Sequence, residues 1–259
     1  MAGQDPQPRP VALVTGVGRR AGIGAAIAYR LAATGWDVGC AYWRPYDARM
    51  PWGADDGTGD ELARRLAAAG ARCHPVEADL ADPAAPAAVL DAVGTGLGPV
   101  RALVLAHCES VDSGLLDTTL DSFDRHFAVN ARAAWLLIRD FAQRFAGPFG
   151  TGRIVALTSD HTAGNLPYGA SKGALDRITL AAAWELRHLG VTANVINPGP
   201  TDTGWLGPDQ AAAVVRATPL GRLGQPVDAA NLVAFLCSAQ GGWINGQLLH
   251  SDGGFAARG

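Results

Sequence analysis

A doubly wound α/β fold, a parallel sheet of about seven strands with helices on both faces, is predicted by three features of the sequence. Short, β-branched apolar runs alternate with Ala- and Leu-rich stretches from start to finish. The Ala/Leu stretches carry helical periodicity and are stopped by glycines. No repeat and no mid-chain linker breaks the rhythm, so residues 11–259 are expected to form one domain behind a polar, proline-containing tail at residues 1–10. Right-handed crossovers between parallel strands then force helices onto both faces.

The strand candidates, in order, are residues 11–15, 38–42, 73–77, 102–106, 154–158, 193–196 and 247–250. Between the first two, Ile23, Ile27 and Leu31 recur every fourth residue and mark one helix face, with Gly35 as the stop. Leu62 and Leu66 repeat the pattern before Gly70. Two Gly/Pro-rich segments, residues 43–59 and 199–211, follow strand ends. In an open α/β sheet ligands lie outside the carboxyl ends of the strands, so both segments are expected to border a ligand.

Composition excludes several classes. The formal charge is only -3 over 259 residues and no basic block is present, which argues against nucleic acid and anionic membrane surfaces. Apolar runs fall far short of the roughly 18 residues of a membrane span. The first ten residues lack the apolar stretch of a signal peptide, so a cytoplasmic protein is expected. Cys40, Cys73, Cys108 and Cys237 form no CxxC pair and the histidines show no HxxxH spacing; reduced thiols and no metal site are expected.

Four constellations carry chemistry. Thr15-Gly16-Val17-Gly18-Arg19-Arg20-Ala21-Gly22-Ile23-Gly24 joins a strand to a helix, where glycines let the backbone approach a pyrophosphate at the helix N-terminus. Tyr168-Gly169-Ala170-Ser171-Lys172 places a phenol and the only lysine of the chain one turn apart on a helix face. An unperturbed phenol is a poor base at neutral pH, and an adjacent ammonium favours its phenolate. Ile154-Val155-Ala156-Leu157-Thr158-Ser159 ends in hydroxyls just ahead of that helix. Ser159 can hold a substrate carbonyl near the phenol, or simply serve a turn. Asn197-Pro198-Gly199-Pro200-Thr201-Asp202-Thr203 is a rigid turn whose hydroxyls can grip a carboxamide.

With these motifs, and with Phe127-Ala128-Val129-Asn130, Pro219-Leu220-Gly221-Arg222-Leu223-Gly224-Gln225-Pro226, Ile244-Asn245-Gly246-Gln247 and Asp252-Gly253-Gly254, the chain resembles the short-chain dehydrogenase/reductase family in its single-domain branch. It is most similar to 3-oxoacyl-[acyl-carrier-protein] reductases and related ketoreductases. The resemblance implies a Rossmann-type sheet and hydride transfer between a nicotinamide dinucleotide and a small or carrier-bound ketone or secondary alcohol. It implies that Tyr168 is the acid or base, that Lys172 holds the nicotinamide ribose, that Ser159 polarises the substrate oxygen and that Asn130 fixes a water. Gly16, Gly22 and Gly24, with Ile23, would cradle the dinucleotide, and Leu80 and Ala106 would lie along it. Asp79 would meet the adenine or cap a local turn. Pro198, Gly199, Thr201 and Thr203 would position the carboxamide. His161, Asn165, Leu166 and Trp205 would flank substrate, with Trp205 either a lid or a packing residue. Members assemble as tetramers or dimers through the helices near residues 131–144 and 168–189.

Three departures stand out. Two extra residues lie between Gly16 and Gly22, and Arg19 or Arg20 can reach a phosphate. Leu105-Ala106-His107-Cys108 replaces the family's Asn-Asn-Ala-Gly. Ser159 stands nine residues before Tyr168, about four fewer than is usual in the family. The second strand ends at Tyr42-Trp43-Arg44 with a cation and no acid, which favours NADP(H) over NAD(H). Reduction of an iminium, redox-neutral tailoring chemistry, or a dinucleotide sensor with an idle site are the competing readings.

Overall fold

The computed structural model describes residues 9–257. Most of the expected tail, residues 1–10, lies outside the described residues; its last two are held in place. The Arg9 guanidinium donates to the carbonyls of Gly70 and Trp36 and faces Asp37, while the Pro10 carbonyl accepts from the Asp37 N–H.

Seven strands form one parallel sheet: β1 (Val11–Thr15), β2 (Asp37–Tyr42), β3 (Cys73–Glu77), β4 (Val100–Leu105), β5 (Arg153–Leu157), β6 (Thr192–Asn197) and β7 (Leu248–His250). Their order is β3-β2-β1-β4-β5-β6-β7. The winding therefore reverses between β1 and β4, and the loops leaving those two strands part to open a crevice. The first crossovers run through α1 (Ile23–Ala33) and α3 (Thr58–Ala68); α4 (Ala85–Leu97) follows β3. Beyond β4 come α5 (Leu120–His126), one widened π turn (Phe127–Arg132), α6 (Ala133–Arg144) and α7 (Leu166–Glu185), which is followed by α8 (Pro208–Ala217) and α9 (Pro226–Cys237).

Strand alternation sorts the core into two layers. Ala12 and Val14 of β1 pack with Ile27 and Leu31 of α1 and Val233 and Leu236 of α9. Val11 and Leu13 point the other way, onto Val89 and Val93 of α4, Leu137 and Phe141 of α6, and Leu175 of α7. Each such buried side chain contributes roughly 1.5–3 kcal/mol. The two layers fix α1 and α7 on opposite faces of the sheet, so that their N-terminal ends bracket the crevice.

Two helices were not evident in the sequence. Residues 43–59 contain α2 (Arg44–Ala48), and α8 begins within the segment 199–211. Both start at a proline, Pro45 and Pro208, in the first helical turn. There the missing N–H costs nothing and the fixed φ favours helix, so the residue that suggests a loop instead opens a helix. Among the described residues no helix is long and apolar enough to cross a membrane.

Candidate active site

A cleft of about 570 Å³ runs along the carboxyl ends of the strands. Its floor is the turn after β1. Gly16 has φ +77°, and a Cβ there would lie 2.5 Å from the Ala106 carbonyl oxygen, so only glycine lets β1 and β4 leave the sheet so close together. Helix α1 starts at Gly22 with no side-chain cap and no acid in its first turn. Its first N–H groups and the positive end of its dipole thus remain available to an anion. The two extra residues of the turn diverge. Arg19 enters the cleft wall, donating to the Thr203 carbonyl at 2.6 Å and lying 4.3 Å over the Trp52 ring. Arg20 turns outward to Asp55.

The substituted segment after β4 is a packing solution. His107 lies between the Thr15 hydroxyl (2.6 Å) and the Val129 carbonyl (3.0 Å), so both ring nitrogens are engaged. Burial, reinforced by the Lys172 charge, pushes its pKa down to about 3, and the ring is neutral. Burial likewise raises the Cys108 thiol. Among the described residues no cluster of three or more His, Cys, Asp or Glu is arranged to hold a metal.

Asn130 sits in the π turn, fully buried. Its Oδ1 accepts from the Glu109 N–H (2.7 Å), and its Nδ2 donates to the Glu109 carbonyl (2.9 Å) and the Ser171 hydroxyl (2.8 Å). The side chain does not line the cleft; it ties the segment after β4 to the first turns of α7.

Tyr168, Lys172 and Ser159 meet at the far end of the cleft. The Lys172 ammonium donates to the Leu157 carbonyl at 2.8 Å and lies 5.7 Å from the Tyr168 ring centroid. The Ser159 hydroxyl accepts the His161 N–H at 3.2 Å and stands beside the Tyr168 phenol in the cleft wall. The short link between them is admitted by Gly169: a Cβ there would fall inside the van der Waals radius of the His161 carbonyl oxygen. Burial, followed by the Cys108 sulfur, raises the Tyr168 pKa above the ordinary phenol range, with Ser159 opposing. Burial lowers that of Lys172. The ammonium that the sequence places beside the phenol is turned onto a backbone carbonyl, and desolvation of the partly buried phenol raises its pKa, so the phenol rests protonated at neutral pH.

The other expected residues divide. Asp79, Leu80, Ala106, Pro198, Gly199, Thr201, Thr203, His161, Asn165 and Trp205 line the cleft with Gly22, Ile23 and Gly24. Asp79 also accepts the Ala81 N–H and pairs with Arg125, so a local turn role coexists with its place in the wall. Arg44 and Leu166 stand outside the wall. The Arg44 Nε donates to both Glu77 carboxylate oxygens at 3.2 Å; Leu166 opens α7, and its N–H reaches the Ser113 carbonyl.

Sequence reasoning placed the segment after β2 beside a ligand but did not single out its residues. Helix α2 crosses the cleft toward the end of β4: the Tyr46 hydroxyl donates to the Ser110 carbonyl at 3.3 Å and Arg49 pairs with Glu109. Trp52 donates to Asp47 at 3.1 Å and stacks on Trp205, centroids 5.1 Å apart. Aromatic residues within a Gly/Pro-rich segment that follows a strand end were the available signal.

The comparisons with known proteins agree with this architecture. The family described as Enoyl-(Acyl carrier protein) reductase matches residues 16–256. An uncharacterized oxidoreductase of Bacillus subtilis (strain 168), YjdA, is 34% identical over 250 residues, covering 95% of this chain and 96% of its own. A chloroplastic protein of Arabidopsis thaliana named NADPH-dependent aldehyde reductase-like protein is 32% identical over 257 residues, covering 95% of this chain and 93% of its own. Among solved structures, a blue fluorescent protein from a metagenomic library in complex with NADPH superposes with TM-score 0.85 at 35% identity, over 96% of this chain and 98% of that one. A short chain dehydrogenase of Burkholderia cenocepacia J2315 in complex with NADP gives 0.84 at 35% identity, with the same coverage. With sheet order, glycine turn and Tyr168–Lys172 pair all in place, the chain belongs to the short-chain dehydrogenase/reductase family of oxidoreductases.

Proposed function

We propose that the protein is an NADP(H)-dependent oxidoreductase that interconverts a ketone and a secondary alcohol, with reduction the favoured direction. The observation that carries this reading is the Tyr168 phenol, half-buried at the end of a glycine-floored cleft with Ser159 and Lys172 beside it. The residues fit a dinucleotide. The floor leaves no room for a Cβ at Gly16, and the uncapped start of α1 suits a pyrophosphate. Gly22, Ile23 and Gly24 would present their backbone to the phosphates and Arg19 its guanidinium. Asp79, Leu80 and Ala106 would border the adenosine, and Pro198, Gly199, Thr201 and Thr203 the carboxamide.

When bound, the reduced dinucleotide would supply a hydride, one proton with two electrons, to the carbonyl carbon. Ser159 holds the carbonyl oxygen by a hydrogen bond. Tyr168 gives its hydroxyl proton to that oxygen as the new C–H bond forms, and the phenolate regains a proton from solvent before the next turnover. Lys172 holds the ribose and stabilises the transient phenolate. In the reverse direction Tyr168 must begin as phenolate. Because burial raises its pKa, reduction is expected to stay nearly flat from about pH 6 to 9 while oxidation climbs by up to about tenfold per pH unit. Initial rates in both directions across that range check the sign.

The preference for NADP(H) rests on the end of β2, which carries Tyr42 and no carboxylate, and on Arg44 directly after it, whose guanidinium is paired with Glu77 just outside the wall and would have to turn to a 2′-phosphate. The NADPH and NADP held by the two superposed structures support it. Mixing the pure protein with NADPH or NADH and a panel of ketones, and following loss of absorbance, tests the whole reading. A kcat/KM ratio above about tenfold in favour of NADPH is expected, and Arg44→Ala should shrink it by about tenfold. A ratio favouring NADH would remove the cofactor assignment; no turnover with any ketone would remove the activity. In the altered segment 105–108 both His107 ring nitrogens are bonded, to Thr15 and Val129, which suits a packing role in the cleft wall better than an idle site. A homo-oligomer remains part of this proposal; α6 and α7 expose Trp135 and Trp184.

A further inference from the structure

The connection between β2 and α3 brings aromatic side chains to the cleft. Tyr46 and Trp52 both line it, with centroids 6.5 Å apart, and Trp52 lies face to face with Trp205 at an interplanar angle of 15°. These rings are held in place. Tyr46 is tied to the Ser110 carbonyl, α2 is pinned by Arg49 on the buried Glu109, and the Trp52 indole is bonded to Asp47. Tyr46, Trp52 and Trp205 line the same cleft as Tyr168, so the aromatic wall and the reacting group face one space.

The charges of the same cleft point in a consistent direction. Five carboxylates border it: Asp47, Asp79, Glu109, Asp112 and Asp160. Of its cations, Arg19 and Lys172 are those given above to the dinucleotide, and Arg125 is paired with Asp79 and Glu109. A carboxylate or phosphate on the substrate would be stripped of water beside Asp47, Asp112 and Asp160 without a further cation to receive it. An apolar flat ring meets no such penalty and gains edge-on contacts with Tyr46 and with Trp52, whose faces Arg19 and Trp205 cover.

Resting on the ketone-reducing function above, we propose that the substrate is an uncharged aromatic ketone whose ring lies against the Tyr46–Trp52–Trp205 wall while its carbonyl oxygen meets Tyr168 and Ser159. The hydride and proton balance is that of the proposed reaction, with the reduced nicotinamide as reductant and the aryl carbinol as product.

Three ketones on the same bicyclic carbon skeleton test this: acetylnaphthalene, its ring-carboxylated analogue and its saturated, puckered counterpart acetyldecalin, each with NADPH. The expected kcat/KM for acetylnaphthalene exceeds that for either of the others by about tenfold or more. Trp52→Leu should bring the aromatic-to-saturated ratio within about threefold, whereas Trp52→Phe should keep most of it. Equal or better use of the carboxylated or saturated ketone by the parent overturns the proposal. Should none be turned over, calorimetric titration of the NADPH-loaded protein separates the two claims. Binding of acetylnaphthalene alone keeps the aromatic site and removes ketone reduction. Binding of none of the three, or of the carboxylate, removes the aromatic site.

Discussion

Replacing Tyr168 with phenylalanine is expected to lower turnover by about 100- to 10,000-fold, because positioned proton transfer contributes that much and no other group at the cleft end can take its place. Ser159 has a hydroxyl in contact but no charge to make it acidic, and the Lys172 ammonium is committed to the Leu157 carbonyl. Nucleotide affinity should stay within about twofold of the parent, since the glycine floor and the start of α1 are untouched. Fluorescence titration with NADPH and steady-state rates on the same preparation make the comparison. A Tyr168→Phe protein with unchanged turnover would exclude the acid role outright. One that has also lost nucleotide binding would show that the phenol is needed for structure.

Gly169→Ala is expected to act on the same atoms by displacing them. The added Cβ would collide with the His161 carbonyl oxygen, a backbone atom that a side-chain rotation cannot relieve. Either the segment 160–165 or the first turn of α7 must move, and with it the Ser159–Tyr168 contact. A shift of about 1 Å between reacting groups can cost about 100-fold in kcat. The loss should fall on kcat, leave NADPH affinity unchanged and lower stability by about 1–3 kcal/mol through overpacking. A melting curve beside the kinetic measurement shows whether the fold survives. Full activity in a folded variant would mean that the short loop yields freely, and that Gly169 is not what permits the nine-residue spacing.

The fold was legible because both of its layers are written as local patterns. Alternation in β1 sends Ala12 and Val14 one way and Leu13 the other, and the fourfold spacing of Ile23, Ile27 and Leu31 marks the face of α1 that receives them. The chemical centre was legible for a different reason. A lone lysine four residues after a tyrosine is a local relation, and a helix keeps it local. What escaped the sequence depends on distance along the chain. Tyr46 reaches the Ser110 carbonyl across 64 residues, and Trp52 finds Trp205 on a loop beyond β6. Neither contact leaves a trace in periodicity, and Pro45 disguised the short helix that makes them possible.

The proton state of Tyr168 escaped for a related reason. Spacing reports that an ammonium is near; it does not report that the lysine is buried and the phenol partly so, or that the ammonium faces a carbonyl. Arg44 shows the same limit. Its position after β2 was read from the sequence, but the Glu77 carboxylate that orients it comes from the end of the neighbouring strand. His107 shows it too: its partners, Thr15 and Val129, come from elsewhere in the chain.

The central claim is that this cleft moves a hydride to a carbonyl carbon beside a protonated Tyr168. Incubating the protein with an aromatic ketone and NADPH deuterated at the nicotinamide C4, in each of its two stereoisomeric forms, tests it by mass spectrometry of the alcohol. The account predicts that one labelled form places its deuterium on the carbinol carbon and the other leaves it on the nicotinamide. Alcohol formed without deuterium from either form, or no alcohol at all, would contradict it.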